Sequence, residues 1–180
     1  MLDETGDEDA VSIRAVARAA GVTSPSIYLH FADKTELFFA VCEQRFRAFG
    51  AVLDDAVAGV DDPVDRVIAR GRAYVAFGLQ HPEDYRVLFM HKPQAPPESF
   101  DTAVMLADTG FLALADDVQR AMDNGSFAPG DPVHSSLALW AAVHGLTSLL
   151  ITKPAFPWPD DRDALIEATL ALALRGLGPA

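Results

Sequence analysis

Thr23, Ser24, Pro25, Ser26, Tyr28, His30 and Lys34 fall within one short stretch of the chain. Their hydroxyls, phenol, imidazole and ammonium suit hydrogen bonding to a polyanion better than bond breaking. Hydroxyls at a helix start reach base edges or phosphate oxygens, and a proline there can touch a thymine methyl. The free N–H groups and dipole of a helix N-terminus add a site for a phosphate. Tyr28, His30 and Lys34 are spaced to hold a sugar–phosphate wall, and Arg14 and Arg18 lie on the polar face of the segment before them.

Bond-making chemistry has little to work with. The acidic pairs Asp54-Asp55, Asp61-Asp62, Asp116-Asp117 and Asp160-Asp161 are sequence neighbours. Neighbours on a helix do not face one site, so shared acid–base work is not expected. Gly71, Gly78 and Gly110 are isolated and form no phosphate loop. Cys42 is the single cysteine, which excludes an intrachain disulfide, and no Cys/His spacing resembles a zinc site. The expectation is therefore no catalytic residue, no metal and no cofactor.

The net charge of −12 argues against affinity for nucleic acid over the whole surface, but its distribution is uneven. Residues 1–10 hold five acids and no base, residues 11–47 carry a local +2, and residues 48–180 carry −9. A mildly basic segment inside an acidic body lets one head dock while the rest suppresses non-specific contact. Residues 1–10 lack the apolar core of a secretory signal. Residues 132–152 have no charged side chain and the length of a membrane span, yet they include His134, Ser135, Ser136, His144, Thr147 and Ser148. A buried bundle helix fits them better, so a cytoplasmic protein without a membrane partner is expected.

The elements that must position these groups are helices, and strand signals are nearly absent. Ser12 can cap a first helix with Ile13, Val16, Ala17 and Ala20 on its apolar stripe and Gly21 at its end. Thr23 or Ser24 can cap a second, running to about Phe31, and Asp33 with Glu36 a long third, to about Val57. Further helices are expected at 62–79, 81–90, 100–124, 131–152 and 160–175, separated by proline-rich breaks at 91–98 and 154–159. The fold class is all-α with about nine helices, divided into a head over 1–50 and a second domain over 51–180.

Within residues 12–31, Ala17 permits close helix crossing, Gly21 accepts a left-handed turn, and Val16, Ala20, Val22 and Ile27 sit where they would lock the pair. Those are the requirements of a helix-turn-helix. From Ser12 through Tyr28 and Lys34 to Leu37, the chain resembles the DNA-binding pattern of TetR-family regulators. Trp140, His144 and Gly145 resemble the Trp…His-Gly signature of one ligand-domain subgroup of that family. The resemblance implies that Ser12 and Thr23 contact phosphate at helix starts. Ser24, Pro25, Ser26 and Tyr28 would face the major groove, with Tyr28, His30 and Lys34 on the phosphates. It also implies a two-fold dimer whose reader helices lie roughly 34–36 Å apart on a near-palindrome. The family's helix before this motif has only residues 1–5 to draw on, so that first helix is expected to be largely missing.

The second domain carries the ligand and dimer expectations. Tyr74, Phe77, Phe89, Met105 and Phe111 recur at helical spacing, and Trp140 and His144 share a helix face. Each fits either a packed core or the lining of a ligand pocket. The 132–152 helix and the last helix are apolar nearly all round, so each must bury more than one face. Pairing with a second copy through Leu139, Ala142, Val143, Leu146, Leu150, Leu165, Leu170 and Leu174 would do so, with Ala138, Ala141 and Gly145 allowing close approach. Such an interface buries on the order of 2,000 Å² or more.

The resemblance implies a DNA-binding bacterial regulator, a ligand-responsive repressor. Its partners would be double-stranded DNA, a second copy and a small-molecule effector of unknown identity. The residues leave a second reading open: a dimeric small-molecule-binding protein whose DNA head is compromised by loss of the first helix.

Overall fold

A computed structural model describes residues 12–90 and 110–178. It contains eight helices and no strand among those residues: α1 Ile13–Ala20, α2 Ser24–Tyr28, α3 Lys34–Asp55, α4 Pro63–Gln80, α5 Pro82–Phe89, α6 Phe111–Asp123, α7 Pro132–Thr152 and α8 Arg162–Arg175. The first-helix expectation and the 91–98 break lie outside the described residues.

Most helices start where a short side chain satisfies an orphan backbone N–H. Ser12 Oγ accepts from Ala15 N at 3.2 Å and Thr23 Oγ1 from Ser26 N at 3.3 Å. Asp33 Oδ1 accepts from Glu36 N at 2.9 Å, while the Glu36 carboxylate reaches back to Ala32 N. Asp62, Asp131 and Asp161 cap α4, α7 and α8 in the same way. Gly21 ends α1 at φ +69°, and its N–H turns back onto the carbonyls of the last turn.

Two boundaries differ from the sequence reading. Helix α2 stops at Tyr28 rather than near Phe31. Helix α6 starts at Phe111, because Gly110 before it has a left-handed φ of +72° that a helix interior does not accept; the 100–109 part of the expected helix lies outside the described residues. Helix α8 ends at Gly176 as expected, with a right-handed φ of −70°.

Helix α1 crosses α2 over a small core of Ile13, Ala17 and Ile27, with Val16, Phe31 and Leu37 packed against it. Ala20 and Val22, expected to lock this pair, are exposed; Phe31 and Leu37 close it instead. Helix α3 therefore begins in the head and, running past residue 50, ends in the main core through Phe46, Phe49 and Leu53. Helix α4 is the hub of that core, packing on α3, α5, α6, α7 and α8. Gly71 and Gly78 make those approaches possible. A Cβ on Gly71 would lie 2.5 Å from Leu170 Cδ2, and one on Gly78 2.3 Å from Thr147 Cγ2.

Helix α7 is long and apolar enough to cross a bilayer by length and composition. It packs against α4, α6 and α8, the bundle role expected of it. Leu139, Val143, Leu146, Leu150 and Leu170, expected between copies, are buried within the protomer; Ala142, Leu165 and Leu174 are half-buried. The correction has a simple cause. A helix apolar on every face has no periodic signal to say which stripe turns inward. The face left open runs through Leu137, Ala138, Ala141 and Leu149 on α7 and Ala168 and Leu172 on α8.

Candidate functional site

The head presents Pro25, Tyr28, Leu29 and His30 to solvent, with Tyr28 55% and Leu29 83% exposed. Ser24, Ser26 and Lys34 are half-buried. Ser12 and Thr23 are exposed but already engaged as caps, and Thr23 Oγ1 also lies 2.8 Å from Ser26 Oγ. The Thr23 and Ser26 hydroxyls hold the start of the short helix, and its Tyr28–His30 end is exposed. Leu29, an apolar side chain on the outside, was missed from the sequence; its only signal was its place between two expected contacts.

The second site is a cavity of about 440 Å³ lined by α3 to α8. Phe46, Phe49 and Leu53 enter from α3, Arg70 and Tyr74 from α4, Phe89 from α5, and Phe111 and Leu114 from α6. Helix α7 adds Leu139, Trp140, Val143 and His144, and α8 adds Leu170 and Leu174. Of the residues expected at a pocket, Tyr74, Phe89, Phe111, Trp140 and His144 line it, and Met105 lies outside the described residues. Phe77 does not line it; it packs on Phe49 at 4.9 Å and His81 at 5.2 Å between ring centroids. Several residues expected at the dimer seam line the cavity instead, because the inward stripe of α7 and α8 faces it.

One wall of this apolar space is polar. His144 Nδ1 lies 2.9 Å from the Tyr74 hydroxyl and 2.8 Å from the Tyr85 hydroxyl. Trp140 Nε1 donates to the Tyr74 oxygen at 3.2 Å, and the Tyr85 hydroxyl donates to the His144 carbonyl at 3.2 Å. Burial raises Tyr74 far above the usual phenol range and pushes Tyr85 up to about 12, so both keep their protons. Burial lowers the His144 pKa, favouring neutral imidazole.

Arg70, one turn before Tyr74 on α4, also lines the cavity, and its charge is already matched. Arg70 Nε donates to Asp117 Oδ2 at 2.8 Å and Nη1 to Asp54 Oδ1 at 2.9 Å. Arg66 Nε takes Asp117 Oδ1 at 2.6 Å, and its Nη1 donates to the Val57 and Val60 carbonyls. Two guanidiniums and two carboxylates thus tie α3, α4 and α6 together beside the cavity. No cluster able to hold a metal ion occurs among the described residues.

The head matches the sequence model for bacterial regulatory proteins of the tetR family over residues 7–41. Residues 67–173 match the tetracyclin repressor-like C-terminal domain. The chain belongs to the TetR family. Its members regulate transcription through a DNA-binding helix-turn-helix, which here is α1, Gly21 and α2. The chain is 25% identical to the transcriptional activator FasR of Mycolicibacterium smegmatis over 173 residues, 93% of this chain and 74% of that protein. A Rhodococcus sp. RHA1 protein of unknown function superposes with a TM-score of 0.80 and 28% identity, covering 99% of this chain and 90% of the other. AibR, solved in complex with isovaleryl coenzyme A and operator DNA, shares the fold with a TM-score of 0.70 and 18% identity over 95% of this chain and 90% of its own. Helices α1 and α2 fall within the region matched by the first model, and most of the cavity lining falls within the region matched by the second.

Proposed function

We propose that this chain is a ligand-responsive repressor acting as a homodimer on a near-palindromic operator, with residues 1–50 as the DNA-binding head and 51–180 as the ligand-binding and dimerisation domain. The observation that carries this reading is α3. One unbroken helix has Leu37 in the head core and Phe46, Phe49 and Leu53 in the cavity wall. A molecule that reshapes the cavity therefore pushes on the helix that carries the head. Ser24, Pro25, Ser26 and Tyr28 are assigned to the major groove, and Ser12, Thr23, Tyr28, His30 and Lys34 to phosphates. Dimer pairing is assigned to the open face of α7 and α8, where Ala138, Ala141 and Gly145 permit close approach. The AibR complex supports a small molecule and operator DNA as partners, and such a protein works in the cytoplasm.

A ligand that fits one head spacing better than another shifts the population toward it, typically lowering DNA affinity by roughly 5–150-fold. The test is a gel shift with DNA flanking the protein's own gene, at several salt concentrations. Salt-dependent binding to a near-palindrome is expected, and Tyr28→Ala should weaken it by about 1–3 kcal/mol with the dimer intact. Binding unchanged by that substitution would remove Tyr28 from the interface, and no binding by a folded dimer would remove the repressor reading.

A further inference from the structure

We propose that the cavity takes an uncharged, mainly apolar molecule bearing a carbonyl-type hydrogen-bond acceptor, which His144 binds through its Nε2–H. This rests on the cavity being the effector site. Trp140 Nε1–H points at the Tyr74 oxygen, so it uses an acceptor there and supplies none. The Tyr74 and Tyr85 hydroxyls, which both keep their protons, reach each other and converge on His144 Nδ1 at 2.9 and 2.8 Å. As an acceptor Nδ1 takes one of these two phenol protons, whereas a proton on Nδ1 would add a fourth donor to a cluster that already holds the Trp140 N–H and two hydroxyls. Tyr85 has a separate outlet in the His144 carbonyl. This arrangement favours the tautomer with hydrogen on Nε2.

That N–H has no partner among the described residues, and Nε2 is not among the side-chain nitrogens sealed from solvent without one. It is a donor left open on a cavity-lining residue. The rest of the lining sets the ligand's charge. Arg70, Tyr74 and His144 are the ionisable groups among the lining residues. Arg70 is held by Asp117 and Asp54, Tyr74 keeps its proton, and burial favours neutral His144. Among the described lining residues no unmatched cation awaits a carboxylate, and no carboxylate awaits an amine. A charged ligand would leave water without a counter-charge, whereas a carbonyl oxygen loses little by exchanging water for the imidazole N–H. At about 440 Å³ the space suits a small molecule of this kind.

The experiment compares three probes of one shape on the full-length chain: benzophenone, diphenylmethane and diphenylacetate. Each is titrated by calorimetry at neutral pH, and the carbonyl stretch of isotope-labelled benzophenone is recorded in the complex. Benzophenone should bind roughly 3- to 10-fold more tightly than diphenylmethane, the worth of one neutral hydrogen bond. Diphenylacetate should bind at least ~10-fold more weakly than benzophenone. The bound carbonyl stretch should move to lower frequency. In His144→Phe the preference for the ketone should shrink to within about twofold and the frequency shift should vanish; His144→Gln, which keeps an N–H donor, should retain part of both. Tightest binding by diphenylacetate, equal binding of ketone and hydrocarbon, or binding of none of the three would overturn the proposal. So would a carbonyl shift that survives His144→Phe. The ranking in the unmutated protein decides even if a variant fails to fold. A parallel gel shift separates the two readings: a ketone preference without any effect on DNA binding leaves the ligand class standing and removes the effector role.

Discussion

Replacing Asp117 with alanine tests the brace beside the cavity. The Asp117 carboxylate is fully buried and accepts from Arg66 Nε at 2.6 Å and Arg70 Nε at 2.8 Å. Its removal leaves Arg70, itself 5% exposed, with Asp54 alone, and leaves Arg66 with two backbone carbonyls. Deleting one partner of a buried ion pair costs about 3–5 kcal/mol, because the remaining charge stays desolvated. A typical domain is stable by about 5–15 kcal/mol, so Asp117→Ala should remove a large share of the total. Urea unfolding followed by circular dichroism measures this, at one fixed protein concentration because pairing with a second copy would shift the midpoint. Asp117→Leu combined with Arg70→Met removes anion and cation together and should recover much of the loss. A loss below about 1 kcal/mol for Asp117→Ala, the level of an exposed pair, would refute the claim that these charges are buried against one another. The Arg72–Glu167 pair provides the contrast: it is bidentate at 2.5 and 2.7 Å but exposed, and Glu167→Gln should scarcely move the midpoint.

Other outcomes follow from single contacts. Burial lowers the His144 pKa, so the unfolded chain protonates near the ordinary value of about 6.5 and the folded chain only at lower pH. The folded state then binds fewer protons, and the stability present above about pH 6.5 is lost as pH falls through the folded value. The melting temperature of the native protein should therefore drop more steeply from neutral to mildly acidic pH than that of His144→Asn; parallel curves would contradict this. Gly78→Ala places a methyl 2.3 Å from Thr147 Cγ2 and 3.0 Å from Tyr85 Cδ2, and should cost about 1–3 kcal/mol in urea unfolding. A gain, as for an unobstructed helical glycine, would mean that α4 and α7 are less closely packed. Leu172→Glu, at a site 67% exposed, should give a soluble monomer by sedimentation. Leu170→Ala should instead lower stability by about 2–5 kcal/mol while leaving the dimer assembled. The reverse pattern would return the interface to the inward stripe.

Local chemistry was legible in the sequence because its partners lie within one helical turn. Ser12, Thr23, Asp33, Asp62, Asp131 and Asp161 each cap a backbone N–H two or three residues ahead, so the starts of six helices could be read from residue type and order. The head was legible for the same reason, with Ala17, Gly21 and Ile27 meeting across a single turn. The pocket was half legible: Tyr74, Phe89, Phe111, Trp140 and His144 share helical periodicity, but periodicity does not distinguish cavity from core, and Phe77 fell on the core side.

Three matters depended on tertiary structure. Arg66 and Asp117 are 51 positions apart, and nothing local says that they meet. Gly71 and Gly78 looked isolated until α8 and α7 were seen to close on them. The orientation of α7 and α8 was hidden because both are apolar all round. Burial of Leu139, Val143 and Leu170 in the protomer, with Leu149 and Leu172 left outside, was decided by which neighbouring helices arrived, not by any pattern the two helices carry. Sequence determines a contact where covalent spacing already brings the groups together; where a helix can bury either face, only the competition among all its neighbours selects one.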